Sequence, residues 1–510
     1  MVLKGFEIFS TPLALRIRKN LELQKWVRGM GKDILSSSVA NRKKSILVAT
    51  NIGGNLNTLA FDTVLGMALR SRGHDVEFTL CDRALSGCMN CELNKFKSVK
   101  DFRTKTAQKL CNDCTRTGKK ILKAADFEPL LIKRSDSFVD QEWDIEIADS
   151  GTKRFLAKGR IDDYKEYEAV FQEYLKSSKI MNFATNEIFS NNHFDLMVAH
   201  HGIYVPQANM VAAAKSFDIP IVTWVQGYRK QTFLFGIGDT YHKSFLNDPF
   251  TSGDLTSGEL EEILEYLDSR DVGDKDWIRF GKVNREDSIS FDLGENSVKV
   301  LMLTNVSWDA QLHYASRIFT DMHSWIEETI NWFSDHKNLD LIIRIHPAEF
   351  TGKIKSRDPV FDFIVERFPN LPRNVKLVRP ETSVSTYKLM DACNLGLIFA
   401  TKAGIELAAL GKPIIVAGES WIRGRGVSMD PTSIGEYFEL LESFEKDPGS
   451  LRVNVEGALN FAHNFFFRKT RKVNSIKALS HYPYLRPQLK SNWDIDDPGL
   501  FEIVREIENL

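Results

Sequence analysis

The stretch KKSILVATNIGGNLNTLAFDTVLGMALRSRGHDVEFTLC, residues 43–81, decides the fold. It opens on an apolar run, passes through a loop with paired glycines, continues with apolar residues at helical spacing to Gly73, and enters a second apolar run. A strand apolar on both faces, followed by a helix and another strand, is what a parallel sheet covered by helices requires. The pattern resumes downstream. FDLMVAHHGIYVPQ (194–207) ends a strand, and QANMVAAAKSFDIPIVTWVQG (207–227) reads as helix then strand.

A second start lies at SVKVLMLTNVSWDAQ (297–311), followed by a helix at SWIEETINWFSDH and the strand of LDLIIRIHPAE. KLVRPE, a helix at STYKLMDAC, the strand NLGLIFA, a helix from TKAGIELAALG and the strand KPIIVAG complete it. A chain of 510 residues exceeds the roughly 250–300 that one core supports, so two consecutive α/β domains are expected. The expected divisions are a basic amphipathic arm over 1–43, a first domain over 44–293, a second over 294–475, and a tail over 476–510 holding a helix that returns to the first domain. The polar segment 252–293 reads as a connector.

A formal net charge of −1 argues against a dedicated nucleic-acid binder, whose affinity rests on an excess of Lys and Arg. Residues 1–44 hold ten Lys/Arg against three Asp/Glu, interleaved with apolar residues. Such an arm suits peripheral contact with anionic lipid, or a helix docked on its own domain. No apolar run reaches the roughly 18–20 residues that span a bilayer, and no signal peptide is evident, so a cytoplasmic location is expected.

In open parallel sheets ligands bind beyond the carboxyl ends of the strands. RIHPAE places Arg344 and His346 at such an end, and a guanidinium beside an imidazole suits a phosphate. In FATKAGIELAALGKPIIVAGE (399–419) a strand gives way at Thr401 to a helix that starts with Lys402, Ala403 and Gly404, an arrangement that suits an anion. Lys402 adds charge, and Glu406 stands one turn on, where it is suited to ribose hydroxyls. Ser383 and Ser385 open the preceding helix, for capping or a phosphate contact.

These motifs are familiar. TNVSWDAQ, RIHPAE, STYKLMDAC, TKAGIELAALGKPIIVAGE with WIRGRG, and NFFFRK resemble the donor domain of GT-B glycosyltransferases. The resemblance is strongest to the capsule-polysaccharide-biosynthesis type that includes bacterial Kdo transferases, and it extends to HGIYVPQ, WVQGYRKQTFLF and GDTYH. It implies two Rossmann-like domains facing across a cleft, with a nucleotide sugar held by the second and a glycan or lipid-linked acceptor by the first. By that carry-over Arg344 and His346 face donor phosphate, the turn from Thr401 to Gly404 cradles it, and Glu406 holds the ribose. TKAG stands where many relatives carry a serine-rich turn, which leaves the nucleotide open. No catalytic metal is expected, because fixed dipoles and cations stabilise the leaving group. An inverting reaction needs a base in the first domain, where His200, His201, Asp239 and His242 are candidates and His201 and Asp239 are favoured. Gly53, Gly54 and Asn55 form an acceptor loop, and Arg229 and Lys230 beside aromatics suit an anionic acceptor. A sugar-nucleotide epimerase and a non-catalytic assembly partner are the rival readings.

One motif stands apart. Cys88, Cys91, Cys111 and Cys114 form C-x2-C-x19-C-x2-C, a spacing suited to a closed and therefore structural zinc site in an insertion over 81–120. Four thiolates also suit an iron–sulfur cluster, and Cys81 supplies a fifth thiol.

Overall fold

The computed structural model describes residues 21, 23–30, 43–96, 98–102, 105–247, 253–277, 292, 294–310, 318–478 and 485–510. The start of the basic arm, residues 1–20, lies outside them. Its described part, within 21–30, buries Leu23, Trp26 and Met30 in the first core, so these residues dock on the chain itself. Among the described residues no helix is long and apolar enough to cross a membrane.

The first sheet contains β1 (Ser45–Asn51), β2 (Asp75–Cys81), β3 (Leu130–Ile132), β4 (Leu196–His200), β5 (Ile221–Gln226) and β6 (Thr232–Ile237). β1 is buried on both faces. Ile46 and Val48 enter one apolar cluster while Leu47 and Ala49 enter another on the opposite face. Period-two alternation sends neighbouring side chains to opposite sides, so an unbroken apolar run implies helices on both. The helix Leu56–Ser71 is capped by Asn55, whose side chain accepts from the Thr58 N–H, and the chain leaves it through Gly73 at φ 95°. Only a residue without Cβ takes that left-handed turn freely.

The second sheet contains β7 (Lys299–Leu303), β8 (Asp340–Arg344), β9 (Val375–Val378), β10 (Leu395–Ile398) and β11 (Ile414–Val416), all parallel, in the order β11-β10-β7-β8-β9. The parallel part of the first sheet has the same winding, β3-β2-β1-β4-β5. Two crevices follow, beyond the carboxyl ends of β1/β4 and of β7/β10, where the strand order reverses.

β6 departs from the parallel pattern. It pairs antiparallel with β5 as a hairpin through Gly227–Gln231, and β12 (Thr470–Lys472) pairs antiparallel with β6. The chain has thus returned to the first sheet by Thr470. Beyond it the helix Pro498–Asn509 buries Leu500, Ile503, Val504 and Ile507 in the cluster that contains the Leu56–Ser71 helix. Glu508 fixes that docking by accepting from Arg72 Nε at 2.9 Å and pairing with His74 Nε2 at 3.1 Å.

The two halves meet through specific contacts. Tyr204, after β4, donates its hydroxyl to Asp309, after β7, at 2.6 Å. Asp358 accepts the Gly159 and Arg160 N–H groups at 3.0 and 2.9 Å, and Arg357 pairs with Glu166 at 3.1 Å.

Candidate functional site

A cavity of about 190 Å³ lies at the carboxyl ends of β7 and β8 and against the turn after β10. Arg344, His346, Thr401 and Lys402, expected at strand ends, all line it, as do Ser383, Ser385 and Glu406. Arg344 is nearly fully buried, and its Nε donates to Thr386 Oγ1 at 3.3 Å while Nη1 donates to the Arg379 carbonyl at 2.5 Å. These bonds aim the guanidinium and use two of its five N–H groups. Burial lowers its pKa to about 10, so it stays charged at neutral pH.

His346 is fixed at both ends. Its backbone N–H donates to Thr304 Oγ1 at 3.0 Å, and its Nδ1 accepts the Ala348 N–H at 3.1 Å. Acceptance at Nδ1 places the proton of the neutral ring on Nε2, which becomes a hydrogen-bond donor. Burial, with Arg344 and Lys402 nearby, lowers its pKa to about 4, so the neutral donor form persists across the physiological range.

Glu406, expected to hold the ribose, has both carboxylate oxygens engaged by protein partners. It is 1% exposed; Oε1 accepts from Lys402 Nζ at 2.5 Å and pairs with Arg270 at 3.0 Å, while Oε2 accepts from Tyr387 OH at 3.0 Å. Burial alone would raise its pKa, but Arg270 and Lys402 overcome that and hold it at about 2. Glu406 is therefore the counter-ion that keeps two cations in the wall, and Lys402 lies 4.6 Å from the Tyr228 ring centroid. Gly404 also differs from expectation. A Cβ there would stand 2.4 Å from Ile398 Cδ1, so the missing side chain permits helix–strand packing. Ser385 takes the capping alternative, accepting from the Tyr387 and Lys388 N–H groups while donating to Asp271.

Arg270, Asp271 and Asp276 come from the polar segment read as a connector, and they close one side of the cavity. Arg270 pairs with Asp276, which also accepts from Tyr266 OH at 2.9 Å. The sequence carried one local signal for this. Thr256 and Glu259 form a capping box that starts the helix Ser257–Ser269, which delivers Arg270 at its end.

The first-half candidates gather elsewhere. His201, at the end of β4, accepts the Ile203 N–H at Nδ1 and places Nε2 against Met89 Sδ at 2.7 Å. Nδ1 is thus taken up by the backbone, which leaves the ring a donor rather than a base. Asp239 is displaced by topology. Because β6 runs antiparallel, its end returns to the amino ends of the parallel strands, where Asp239 pairs with Lys215 in the last turn of the helix Gln207–Ser216 at 2.7 Å. Arg229, proposed for an acceptor, instead donates to the Phe466 carbonyl at 2.9 Å and Thr470 Oγ1 at 3.1 Å, and stacks 3.7 Å from the Phe467 centroid. Lys230 donates to the Asp274 carbonyl. Gly53 and Gly54 do not line an open loop. A Cβ on Gly53 would stand 2.4 Å from the Cys114 carbonyl oxygen, and one on Gly54 2.6 Å from Asn90 Nδ2. With Asn55 spent as a helix cap, this turn is a seat for the cysteine-bearing insertion.

That insertion includes the helix Lys105–Ala124 and brings Cys81, Cys88, Cys91, Cys111 and Cys114 around one small cavity. Among the described residues, no three His, Cys, Asp or Glu side chains are gathered tightly enough to hold a metal ion.

No protein-family model matches the sequence, and no curated protein matches it. Structural neighbours include GT-B-like enzymes. KpsC from Thermosulfurimonas dismutans, a beta Kdo 2,4 transferase, is 14% identical over 55% of this chain and 82% of its own, with a TM-score of 0.37. The beta Kdo 2,7 transferase of the same KpsC is 10% identical over 64% of this chain and 89% of its own, at 0.33. UDP-GlcNAc 2-epimerase from Neisseria meningitidis, bound to UDP-GlcNAc, is 10% identical over 83% of this chain and 99% of its own, at 0.28. At these values the likeness carries no assignment of substrate or role, and the functional reading stands on the cavity.

Proposed function

We propose that this chain is a nucleotide-sugar-dependent glycosyltransferase whose cavity beside β7 and β8 holds the phosphate end of the donor. The observation that carries the reading is the convergence of a buried Arg344, an Nε2–H donor on His346 and the Lys402 ammonium on one cavity at strand carboxyl ends. A guanidinium and a neutral N–H donor bind phosphate oxygens and stabilise charge that builds on the leaving nucleotide, with little reorganisation because both are already fixed. No step requires a metal at that point. The acceptor is a glycan or lipid-linked saccharide.

The test is nucleotide release from a panel of nucleotide sugars, with and without glycan acceptors. Acceptor-dependent release supports transfer. Conversion of the donor sugar without acceptor supports the epimerase reading instead, and absence of both turnover and nucleotide binding contradicts an enzyme of either kind.

A further inference from the structure

The five-thiol cavity is not used by the donor site, and its construction points to a ligand of its own. Cys81 closes β2, Cys88 and Cys91 flank a tight turn, and Cys111 and Cys114 lie one turn apart on the helix Lys105–Ala124. Residues at i and i+3 share a helix face. Cys88 Sγ and Cys91 Sγ are 3.8 Å apart. A tetrahedral zinc with Zn–S bonds of about 2.3 Å has sulfur–sulfur edges of about 3.8 Å, so this pair already has the spacing of two ligands on one ion.

The backbone at the end of β1 reaches one of the sulfurs. The Gly54 N–H donates to Cys114 Sγ at 3.0 Å, and the Cys91 N–H donates to the Cys88 carbonyl at 2.8 Å, closing the turn that sets the first pair. Amide donors favour the charged sulfur over the neutral thiol. Arg83 also lines the cavity, where it offsets the negative charge that four thiolates around one divalent ion would leave.

We infer that Cys88, Cys91, Cys111 and Cys114 bind one zinc ion as a closed structural site, with Cys81 outside the ligand set. Binding requires the Cys111/Cys114 pair to close onto the Cys88/Cys91 pair, with loss of the thiol protons to solvent. Its consequence is local. The ion would tie the helix Lys105–Ala124 to the turn Gly53–Gly54 at the end of β1, and so fix the loop at the first crevice.

Elemental analysis of the purified full chain, followed by anaerobic cobalt(II) titration of the demetallated protein, tests this. The expected result is about one zinc per chain and a thiolate-to-cobalt charge-transfer band that saturates near one equivalent. Cys88→Ser and Cys111→Ser should weaken binding at least tenfold, whereas Cys81→Ser should leave it unchanged. The wild-type titration keeps the test valid if a serine variant fails to fold. Less than a tenth of an equivalent of zinc, both as purified and after anaerobic reconstitution with zinc, would overturn the site. Iron with acid-labile sulfide would overturn zinc as its occupant, and loss of metal in Cys81→Ser would overturn the ligand set.

Discussion

Arg344 and His346 sit two residues apart at the end of β8, yet they are oriented by different parts of the fold: Thr386 and the Arg379 carbonyl hold one, Thr304 and the Ala348 N–H the other. Removing the guanidinium deletes a charged hydrogen-bond donor worth about 1.5–3 kcal/mol. Arg344→Ala should therefore lower nucleotide affinity roughly tenfold to a hundredfold by calorimetry. His346 makes a separate, pH-dependent prediction. Its folded pKa of about 4 lies below the ordinary 6.5, so the unfolded chain takes up this proton first as pH falls. Stability should drop between about pH 6.5 and pH 4, and chemical denaturation of His346→Gln should show a shallower decline over that window. Glu406→Gln leaves Arg270 and Lys402 buried without their shared carboxylate. Breaking a buried ion pair on one side costs about 3–5 kcal/mol, which should appear as a large fall in Tm.

The elements were legible where their burial is symmetric. Residues 46–49 of β1 and 300–303 of β7 are apolar without interruption because helices cover both faces, and Gly73 marks its helix end by a turn that other residues resist. The β5–β6 hairpin was not legible, since Tyr228–Gln231 carries none of the Asn-Gly or Asp-Gly pairs that announce a tight reversal. That one strand direction moved Asp239 to the amino ends of the parallel strands. The cavity was half legible: strand-end residues showed themselves locally, whereas Arg270 reaches Glu406 only through packing that no neighbouring residue specifies. The glycine turn after β1 gives a prediction at the same scale. Gly53→Ala would drive Cβ against the backbone at Cys114 and Gly118. Overpacking of this kind costs about 1–3 kcal/mol. Faster hydrogen exchange across residues 108–124 should report it, with donor-nucleotide affinity unchanged.

At the scale of the molecule, two sheets of the same winding place their crevices beside loops that touch through Tyr204 and Asp309, and the C-terminal helix folds back to complete the first core. The cavity proposed for the nucleotide is built by the second sheet, the segment that leads into it and Tyr228 of the β5–β6 hairpin, so nucleotide binding should not depend on the cysteine insertion. The proposal that this cavity holds the phosphates of a nucleotide can be checked by isothermal titration of the wild-type chain and of Arg344→Ala with a panel of nucleoside mono- and diphosphates. The wild-type chain should show saturable binding of one nucleotide class at about one site per chain, weakened at least tenfold by the substitution. Binding of equal strength in both proteins, or of no nucleotide at all, would contradict it.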